Sequence, residues 1–341
     1  ITLIFILMVI VPTIGAAQID KVALNEIQQA IEAKGANWTA GETSVSGLSV
    51  EEQKMLCGAK IGPVPEDVVM LSPPPLSAVT PAFDWRDKDG QNWVTPVENQ
   101  GNCGSCWIFG ATAAFETQVN IDANDPTIDF DASEQYILSC YSGGWGCNGS
   151  DPADTLEYIR DHGVPDDACL SYDPTLPKDT NDDILCSAAC SDWQDSAWTC
   201  AAFGTATTHT TDAYKSYLQT YGPMVIVLEA PNDFLYYISG LYEPVWTTDE
   251  FGWANHCVML VGYDDNYNSG QGCWIIKNSW GTSWGENGYA RVAYGALEQY
   301  QYSFWVLDTS GPEPEPEPQT IANLNDTVED VGWSEEYWDE G

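Results

Sequence analysis

Basic residues are scarce in this 341-residue sequence, which has 11 lysine and arginine residues against 51 aspartate and glutamate residues, a net charge of −40. A chain of this charge repels phosphate backbones, so we expect no nucleic-acid partner. Only three histidines are present, which limits the candidates for a catalytic base. Hydrophobic residues still make up 44% of the chain and aromatic residues 12%, which excludes wholesale disorder.

Long apolar runs are absent after residues 1–14. That run is shorter than the ~20 residues that cross a bilayer, and three small residues follow it. We expect residues 1–17 to be a secretory signal peptide with a truncated start, although a buried helix or a membrane anchor gives a similar pattern. Eleven cysteines favour an oxidising compartment. The mature form is therefore predicted to have no stable membrane span and to be secreted, extracellular or in a lysosome-like compartment.

The two ends differ in composition from the central region. Residues 18–81 contain apolar residues at helical spacing over 20–34, a second expected helix at 50–56, and a proline-rich stretch at 63–81. This pattern indicates an appended segment with a cleavable linker. Residues 311–341 carry ten acidic residues and no basic one, and they begin with alternating proline and glutamate. We expect a stiff spacer and a disordered acidic tail, with docking or cell-surface attachment as the alternative.

The central region, residues 82–310, changes from a helical to a strand-rich pattern near residue 204. Helices are predicted at 106–120, 133–140 and 153–160. Short β-branched or aromatic runs predict strands at 224–228, 257–263, 274–277 and 289–292. A helical half (82–204) followed by a strand-rich half (205–310) implies an α+β fold with two subdomains.

The most specific motif is Gln100-Gly-Asn-Cys-Gly-Ser-Cys-Trp107. Its second cysteine, Cys106, begins a predicted helix, and the positive end of a helix dipole stabilises a thiolate over a thiol. Because the thiolate is the nucleophilic form, this position suits covalent catalysis. A zinc site needs a second cysteine pair, which only Cys186 and Cys190 approach, and a thioredoxin-like site needs an early β-α-β unit that the pattern lacks.

A cysteine nucleophile needs a base, and the histidines are His162, His209 and His256. His256 precedes an apolar strand that can fix its backbone at the mouth of a cleft, whereas we interpret the other two as surface or core residues. Asn278 ends another predicted strand, and its amide oxygen can accept a hydrogen bond from the imidazole and fix its tautomer. The nearby Trp280 can shield that bond from water.

On these motifs, residues 82–310 resemble the papain-like cysteine peptidases and are similar in pattern to the cathepsins. The matching segments are Phe83-Asp-Trp-Arg86, Gln100–Trp107, Ser133-Glu-Gln135, Cys147-Asn-Gly149, Asn255-His256 and Asn278-Ser-Trp-Gly281. The resemblance implies a two-lobed fold, with a helical left lobe, a β-barrel-like right lobe and the active-site cleft between them. It implies Cys106 as nucleophile, His256 as its imidazolium partner and Asn278 as the residue that orients the histidine. Gln100 and the Cys106 backbone N–H would bind the oxyanion.

Residues 18–81 carry a resemblance of their own. Asn37-Trp-Thr-Ala-Gly41 and Leu56-Cys-Gly58 resemble the short prosegment of cathepsin B-like enzymes. In that family the prosegment lies through the cleft in reverse, blocks it, and leaves when acid-labile contacts break. The resemblance implies a zymogen with its own prosegment as intramolecular inhibitor and with protein or peptide substrates. We expect the protein to be a monomer.

The resemblance assigns substrate binding to Gly149, Ser150, Pro152, Ala254, Asn255 and Trp280. Ser150 replaces a glycine whose backbone normally pairs with substrate in the family. Pro152 and Ala254 are expected to line an apolar subsite for the second residue before the scissile bond. Cathepsin B has a histidine-bearing loop that makes it a dipeptidase, whereas the corresponding insertion here, about 169–190, contains no histidine. Endopeptidase action is therefore predicted.

The resemblance also implies the disulfides Cys103–Cys147 and Cys140–Cys186, with Cys169–Cys190 as a candidate third pair. Acidic turns at 122–125 and 264–266 do not match a calcium-binding loop, so we predict neither a metal nor another cofactor.

Taken together, the sequence predicts a secreted cysteine endopeptidase, made as a zymogen, that forms an acyl-enzyme through a Cys106–His256 pair. One alternative is a different acyl-transfer enzyme of the transglutaminase type. Another is a catalytically silent homologue that acts as a surface binding protein, against which the intact Cys106, His256, Asn278 and Gln100 argue.

Overall fold

The structure is a computed structural model that describes residues 16–75, 79–144, 146–176, 182–248, 252–297 and 302–312. Side chains are described from residue 23 onward, except those of Trp253 and Ala254. The predicted signal peptide, apart from its last two residues, and the predicted tail beyond residue 312 lie outside these ranges. Within them, no helix is long and apolar enough to cross a membrane.

The helices in the described ranges include every helix that the sequence predicts. They are α1 (Ala16–Lys34), α2 (Val50–Met55), α3 (Cys106–Asp122), α4 (Glu134–Cys140), α5 (Pro152–His162), α6 (Thr211–Tyr221) and the short, kinked α7 (Tyr267–Gly270). Single 3₁₀ turns lie at Trp85–Asp87, Gly146–Asn148, Asp167–Cys169, Cys186–Ala188, Trp193–Asp195 and Asn232–Tyr236. The sequence patterns did not predict α6, which the Thr210 side chain caps by accepting from the Ala213 N–H.

The strands form one mixed sheet. They are β1 (Trp38–Ala40), β2 (Val69–Leu71), β3 (Ala82–Asp84), β4 (Thr199–Ala206), β5 (Met224–Pro231), β6 (Tyr237–Tyr242), β7 (Trp253–Asp264), β8 (Cys273–Lys277), β9 (Tyr289–Ala293) and β10 (Ser303–Ser310). Their hydrogen-bonded order is β1-β6-β9-β8-β7-β5-β10-β4-β2, with β3 paired to β7. Among the described strands this path is open, so the barrel-like lobe is not a closed barrel.

Residues 16–75, which we call the N-terminal segment, are built into both ends of this sheet. Strand β1 pairs antiparallel with β6, and strand β2 pairs parallel with β4. Side chains reinforce both ends: Trp38 Nε1 donates to the Glu243 carbonyl at 3.0 Å, and the Tyr217 hydroxyl donates to the Leu71 carbonyl at 2.9 Å. The segment therefore packs on the central region rather than extending away from it.

Helix α3 lies where the two lobes meet. Every residue from Cys106 to Asn120 is buried, because α4 and α5 pack on one side of the helix and β7 on another. A Cβ atom added to Gly110 would lie 2.6 Å from the Cys257 sulfur, so only glycine lets the helix approach β7 this closely. The predicted α+β, two-lobed fold is thus confirmed, and its junction sets the start of α3 beside β7.

Candidate active site

Cys106 is the first residue of α3 and is fully buried. Burial raises the pKa of its thiol to about 11, although backbone hydrogen bonds from Cys257, Gly58, Ala59 and Trp107 oppose the shift. Two of those four residues belong to the N-terminal segment, which therefore lies directly on the sulfur. In this closed form the thiol stays protonated at neutral pH, despite its place at a helix N-terminus.

His256 lies on β7, one residue before the backbone that contacts Cys106. Its Nε2 and the Asn278 Oδ1 are 2.8 Å apart, and Asn278 follows directly on the end of β8. The Trp280 ring stacks on the imidazole with the centroids 4.5 Å apart and an angle of 25° between the planes. Burial lowers the pKa of His256 to about 4, although the hydrogen bond that the ring donates to Asn278 Oδ1 and a backbone hydrogen bond with Leu56 oppose the shift. The ring is therefore neutral in the closed form.

Gln100 is fully buried, and its side-chain amide is held from both ends. Its Nε2 donates to the Leu56 carbonyl at 3.0 Å and to the Cys103 carbonyl at 2.7 Å. Its Oε1 accepts from the Ser279 hydroxyl at 2.7 Å. Ser279 thus fixes the orientation of the amide group and with it the direction in which the Nε2 donor points. Sequence reasoning gave Ser279 no role, although its place after Asn278 puts it in the same loop.

The N-terminal segment crosses the site in an extended conformation. Ala59 forms a parallel bridge with Ser150, and the Lys60 N–H donates to the Ser150 carbonyl at 2.9 Å. Gly149 has φ +92°, and a Cβ atom there would lie only 1.9 Å from the Gly58 carbonyl oxygen. The segment therefore lies against the loop that the sequence assigned to substrate binding.

The other residues assigned to substrate binding occupy different positions around this path. Pro152 begins α5 and is buried, while Asn255 is half-buried on β7 opposite Glu229. Ala254 lies one residue earlier on β7, and its side chain is outside the described set. Trp280 is fully buried behind the imidazole, where it also packs against Phe234, so it contacts the site through His256.

The sequence model of the papain family of cysteine proteases matches residues 79–303 of the chain. The chain belongs to the papain family. Its alignment with cathepsin B-like CP2 of Giardia intestinalis shows 31% identity over 243 residues. That alignment covers 66% of this chain and 74% of the relative. The alignment with a cathepsin L-like peptidase of Aedes aegypti shows 32% identity over 256 residues and covers 73% of this chain and 68% of that relative.

A solved precursor structure has a similar fold. The digestive procathepsin L2 proteinase from the Tenebrio molitor larval midgut superposes with a TM-score of 0.68 at 25% identity, over 85% of this chain and 90% of that one. These comparisons show that the chain is a papain-like cysteine peptidase, which is a hydrolase. They also show that its fold is like that of a zymogen.

Three disulfides brace this papain-family chain: Cys103–Cys147, Cys140–Cys186 and Cys169–Cys190. The first ties the loop before Cys106 to the loop that carries Gly149, so it fixes the two walls between which the N-terminal segment passes. The free thiols in the described ranges are those of Cys57, Cys106, Cys200, Cys257 and Cys273, all of them buried.

A buried charged cluster behind the site escaped the sequence analysis. Thr95 donates its hydroxyl to Glu116 at 2.6 Å and accepts from Lys277 Nζ at 3.0 Å. Glu134, on α4, accepts from the Thr112 hydroxyl at 2.8 Å. Burial raises the pKa of Glu116 to about 8, raises that of Glu134 well above its usual value, and lowers that of Lys277. Because Lys277 precedes Asn278, this cluster anchors the strand end that positions the asparagine.

Proposed function

We propose that this papain-family chain is the precursor of a secreted cysteine endopeptidase, with residues 18–81 as its inhibitory prosegment and residues 82–310 as its peptidase domain. The observation that carries the proposal is the hydrogen bond from Gln100 Nε2 to the Leu56 carbonyl. A peptide carbonyl of the N-terminal segment takes the donor that would otherwise stabilise a substrate oxyanion. The segment therefore both fills the cleft and occupies its catalytic groups.

Removal of the segment changes the charge state of the catalytic pair. Burial is the first cause of both shifts, upward for the Cys106 pKa and downward for the His256 pKa. Water that enters the emptied cleft relieves both shifts, and the α3 dipole then favours the thiolate. A proton passes from the Cys106 sulfur to His256, and the thiolate–imidazolium pair forms.

Acylation is the next proposed step. The Cys106 thiolate attacks the substrate carbonyl carbon, and the oxyanion accepts hydrogen bonds from Gln100 Nε2 and the Cys106 backbone N–H. His256 gives its proton to the leaving amine as the C–N bond breaks. Asn278 Oδ1 holds Nε2–H of the ring, so Nδ1 is the nitrogen that transfers the proton.

Deacylation reverses the proton transfer. His256 takes a proton from water, the resulting hydroxide attacks the thioester carbonyl, and the same donors stabilise the second oxyanion. The carboxylic acid leaves as the C–S bond breaks, and Cys106 is regenerated. No metal or cofactor enters any of these steps.

Charge in the 169–190 insertion supports endopeptidase action. The insertion starts beside the oxyanion donors, since the Tyr172 hydroxyl donates to the Gln100 carbonyl at 2.8 Å. It carries four aspartates and one lysine and has no histidine. A dipeptidase must bind the C-terminal carboxylate of its substrate, and an acidic loop repels that group. The three disulfides favour an oxidising compartment and so support secretion.

Hydrolysis of an internally quenched peptide by the processed protein tests the proposal. We expect turnover that Cys106→Ala abolishes and that Cys200→Ala, a change at another buried free cysteine, leaves in place. Product mass should show cuts inside a peptide whose C-terminus is amidated. Amine incorporation without peptide fragments would instead indicate the acyl-transfer alternative, and no turnover at all would indicate the silent homologue.

A further inference from the structure

The path of the N-terminal segment shows which groups line the cleft beyond the nucleophile. From Gly58 at the Cys106 sulfur, the chain runs past Ser150 and reaches Asp151, whose Oδ2 accepts the Gly62 N–H at 2.9 Å. Four residues of extended chain span at most about 14 Å. The Asp151 carboxylate therefore lies on the cleft wall within reach of a side chain two residues from the reacting carbonyl.

The two carboxylate oxygens of Asp151 accept hydrogen bonds from different donors. Oδ1 caps α5 by accepting from the Ala153 N–H at 2.9 Å. Oδ2 accepts from the hydroxyl of Tyr302, a buried residue immediately before β10, and from the Gly62 N–H. When the N-terminal segment leaves, Oδ2 loses the Gly62 donor and keeps Tyr302. A half-buried carboxylate oxygen is then left open toward the cleft.

The surroundings of Asp151 favour a cationic replacement for that donor. Burial raises its pKa, and the neighbouring Asp154 carboxylate raises it further, against the three hydrogen bonds that it accepts. Both effects penalise the carboxylate alone, and a bound positive charge relieves both. An ammonium or guanidinium group also forms a stronger, charge-assisted hydrogen bond than a backbone amide does.

We propose that Asp151, oriented by Tyr302, is a specificity-determining residue that selects a basic side chain at the second residue before the scissile bond. This inference rests on the proposed peptidase function and names its substrate class, peptides with lysine or arginine at that position. It differs from the apolar subsite expected from Pro152 and Ala254, because Asp151 immediately precedes Pro152 and turns its carboxylate onto the same path.

Asp151→Asn isolates the charge, because asparagine caps a helix as well as aspartate does. The assay uses two fluorogenic dipeptide amides that share arginine next to the scissile bond and carry either arginine or phenylalanine before it. We expect the wild-type enzyme to prefer the arginine peptide at least tenfold in kcat/KM, and Asp151→Asn to reduce this preference at least tenfold, mainly through KM. Asp161→Asn removes the same charge near the other end of α5 and should leave the preference unchanged.

Equal preferences in Asp151→Asn and the wild type would overturn the inference, as would a wild-type preference for phenylalanine. If neither peptide is hydrolysed, the proposed function fails instead. Inactivation by two epoxysuccinyl peptides with the same pair of side chains then still tests Asp151, because it requires binding and a reactive thiol but no hydrolysis. The same tenfold difference between the two inactivation rates, lost in Asp151→Asn, is expected there.

Discussion

Gly58 of the N-terminal segment and Gly104 of the catalytic loop are in such close backbone contact that a Cβ atom on Gly58 would lie 2.0 Å from the Gly104 carbonyl oxygen. Gly104 cannot move easily, because the Cys103–Cys147 disulfide holds its loop and Cys106 follows two residues later. The fit of the segment in the cleft thus depends on the absence of a single methyl group.

Gly58→Ala should therefore loosen the inhibitory segment. Overpacking of this kind costs about 1–3 kcal/mol, which corresponds to a roughly 5- to 150-fold weaker hold on the cleft. The rate at which activity appears in freshly purified precursor should rise accordingly. Gly41→Ala is the matched control, since its added Cβ would meet only the flexible Ile238 side chain. Equal activation rates for both variants would contradict this role of Gly58.

Acid should destabilise the closed precursor through His256. Its pKa is about 4 in the closed form and 6.5 in the unfolded chain, so between these pH values His256 is protonated in the unfolded chain and neutral in the folded one. The neutral imidazole therefore makes its full contribution to the free energy of unfolding above pH 6.5. This contribution is lost as the pH falls toward 4, by roughly 3 kcal/mol in total. Urea unfolding of the precursor at several pH values measures this loss.

The control for that measurement is His256→Asn, which cannot titrate. Burial raises the pKa values of Asp131 and Asp233 to about 6, so these groups increase the free energy of unfolding as the pH falls. They do so equally in the wild type and in His256→Asn. The difference between the two stability curves therefore isolates the imidazole. Parallel curves between pH 6.5 and 4 would show that His256 is not held neutral.

The donor amide of Gln100 should depend on Ser279. Gln100→Ala removes one oxyanion donor and should lower kcat by about 10²–10³. Ser279→Ala keeps the amide but loses the 2.7 Å bond that fixes its orientation, so we expect a smaller loss of about tenfold. In the double variant the two losses should not add, because Ser279 acts only through Gln100. Additive losses would indicate that the serine acts independently.

Lys277 should be essential for stability rather than for chemistry. Above pH 8, where Glu116 is ionised, Lys277→Met leaves this carboxylate without its buried counter-charge, which typically costs about 3–5 kcal/mol in the free energy of unfolding. Glu134→Gln should cost much less, because burial already favours the protonated, neutral form of that carboxyl group. Chemical denaturation of both variants, with Lys88→Met at a half-buried lysine outside the cluster as reference, distinguishes these effects. Similar costs for all three would argue against the cluster.

The sequence predicted the elements that carry strong periodicity or motifs, and the structure adds those that depend on partners. Helix α3 and strand β7 were expected from their own residues. Strand β4, by contrast, has the sequence Thr-Cys-Ala-Ala-Phe-Gly-Thr-Ala, which favours no strand alone and is extended because β10 and β2 pair with it.

The same division applies to the site. Cys106, His256 and Asn278 stand in recognisable local patterns, so the sequence alone identified them as candidates. Ser279 and Asp151 matter because distant residues, Gln100 and Tyr302, meet them in three dimensions. A single sequence holds no signal for such encounters, and the buried Glu116–Lys277 pair, 161 positions apart, was beyond its reach for the same reason.

The N-terminal segment supplies the outermost strand at each end of the sheet, β1 against β6 and β2 against β4. Removal of this segment, as proposed above, would uncover two rows of backbone N–H and C=O groups that are paired in the structure. The proposed processed enzyme would then have an open cleft and two unpaired strand edges that other extended chains can bind. Loss of the segment would thus expose strand edges of the kind through which proteins self-associate.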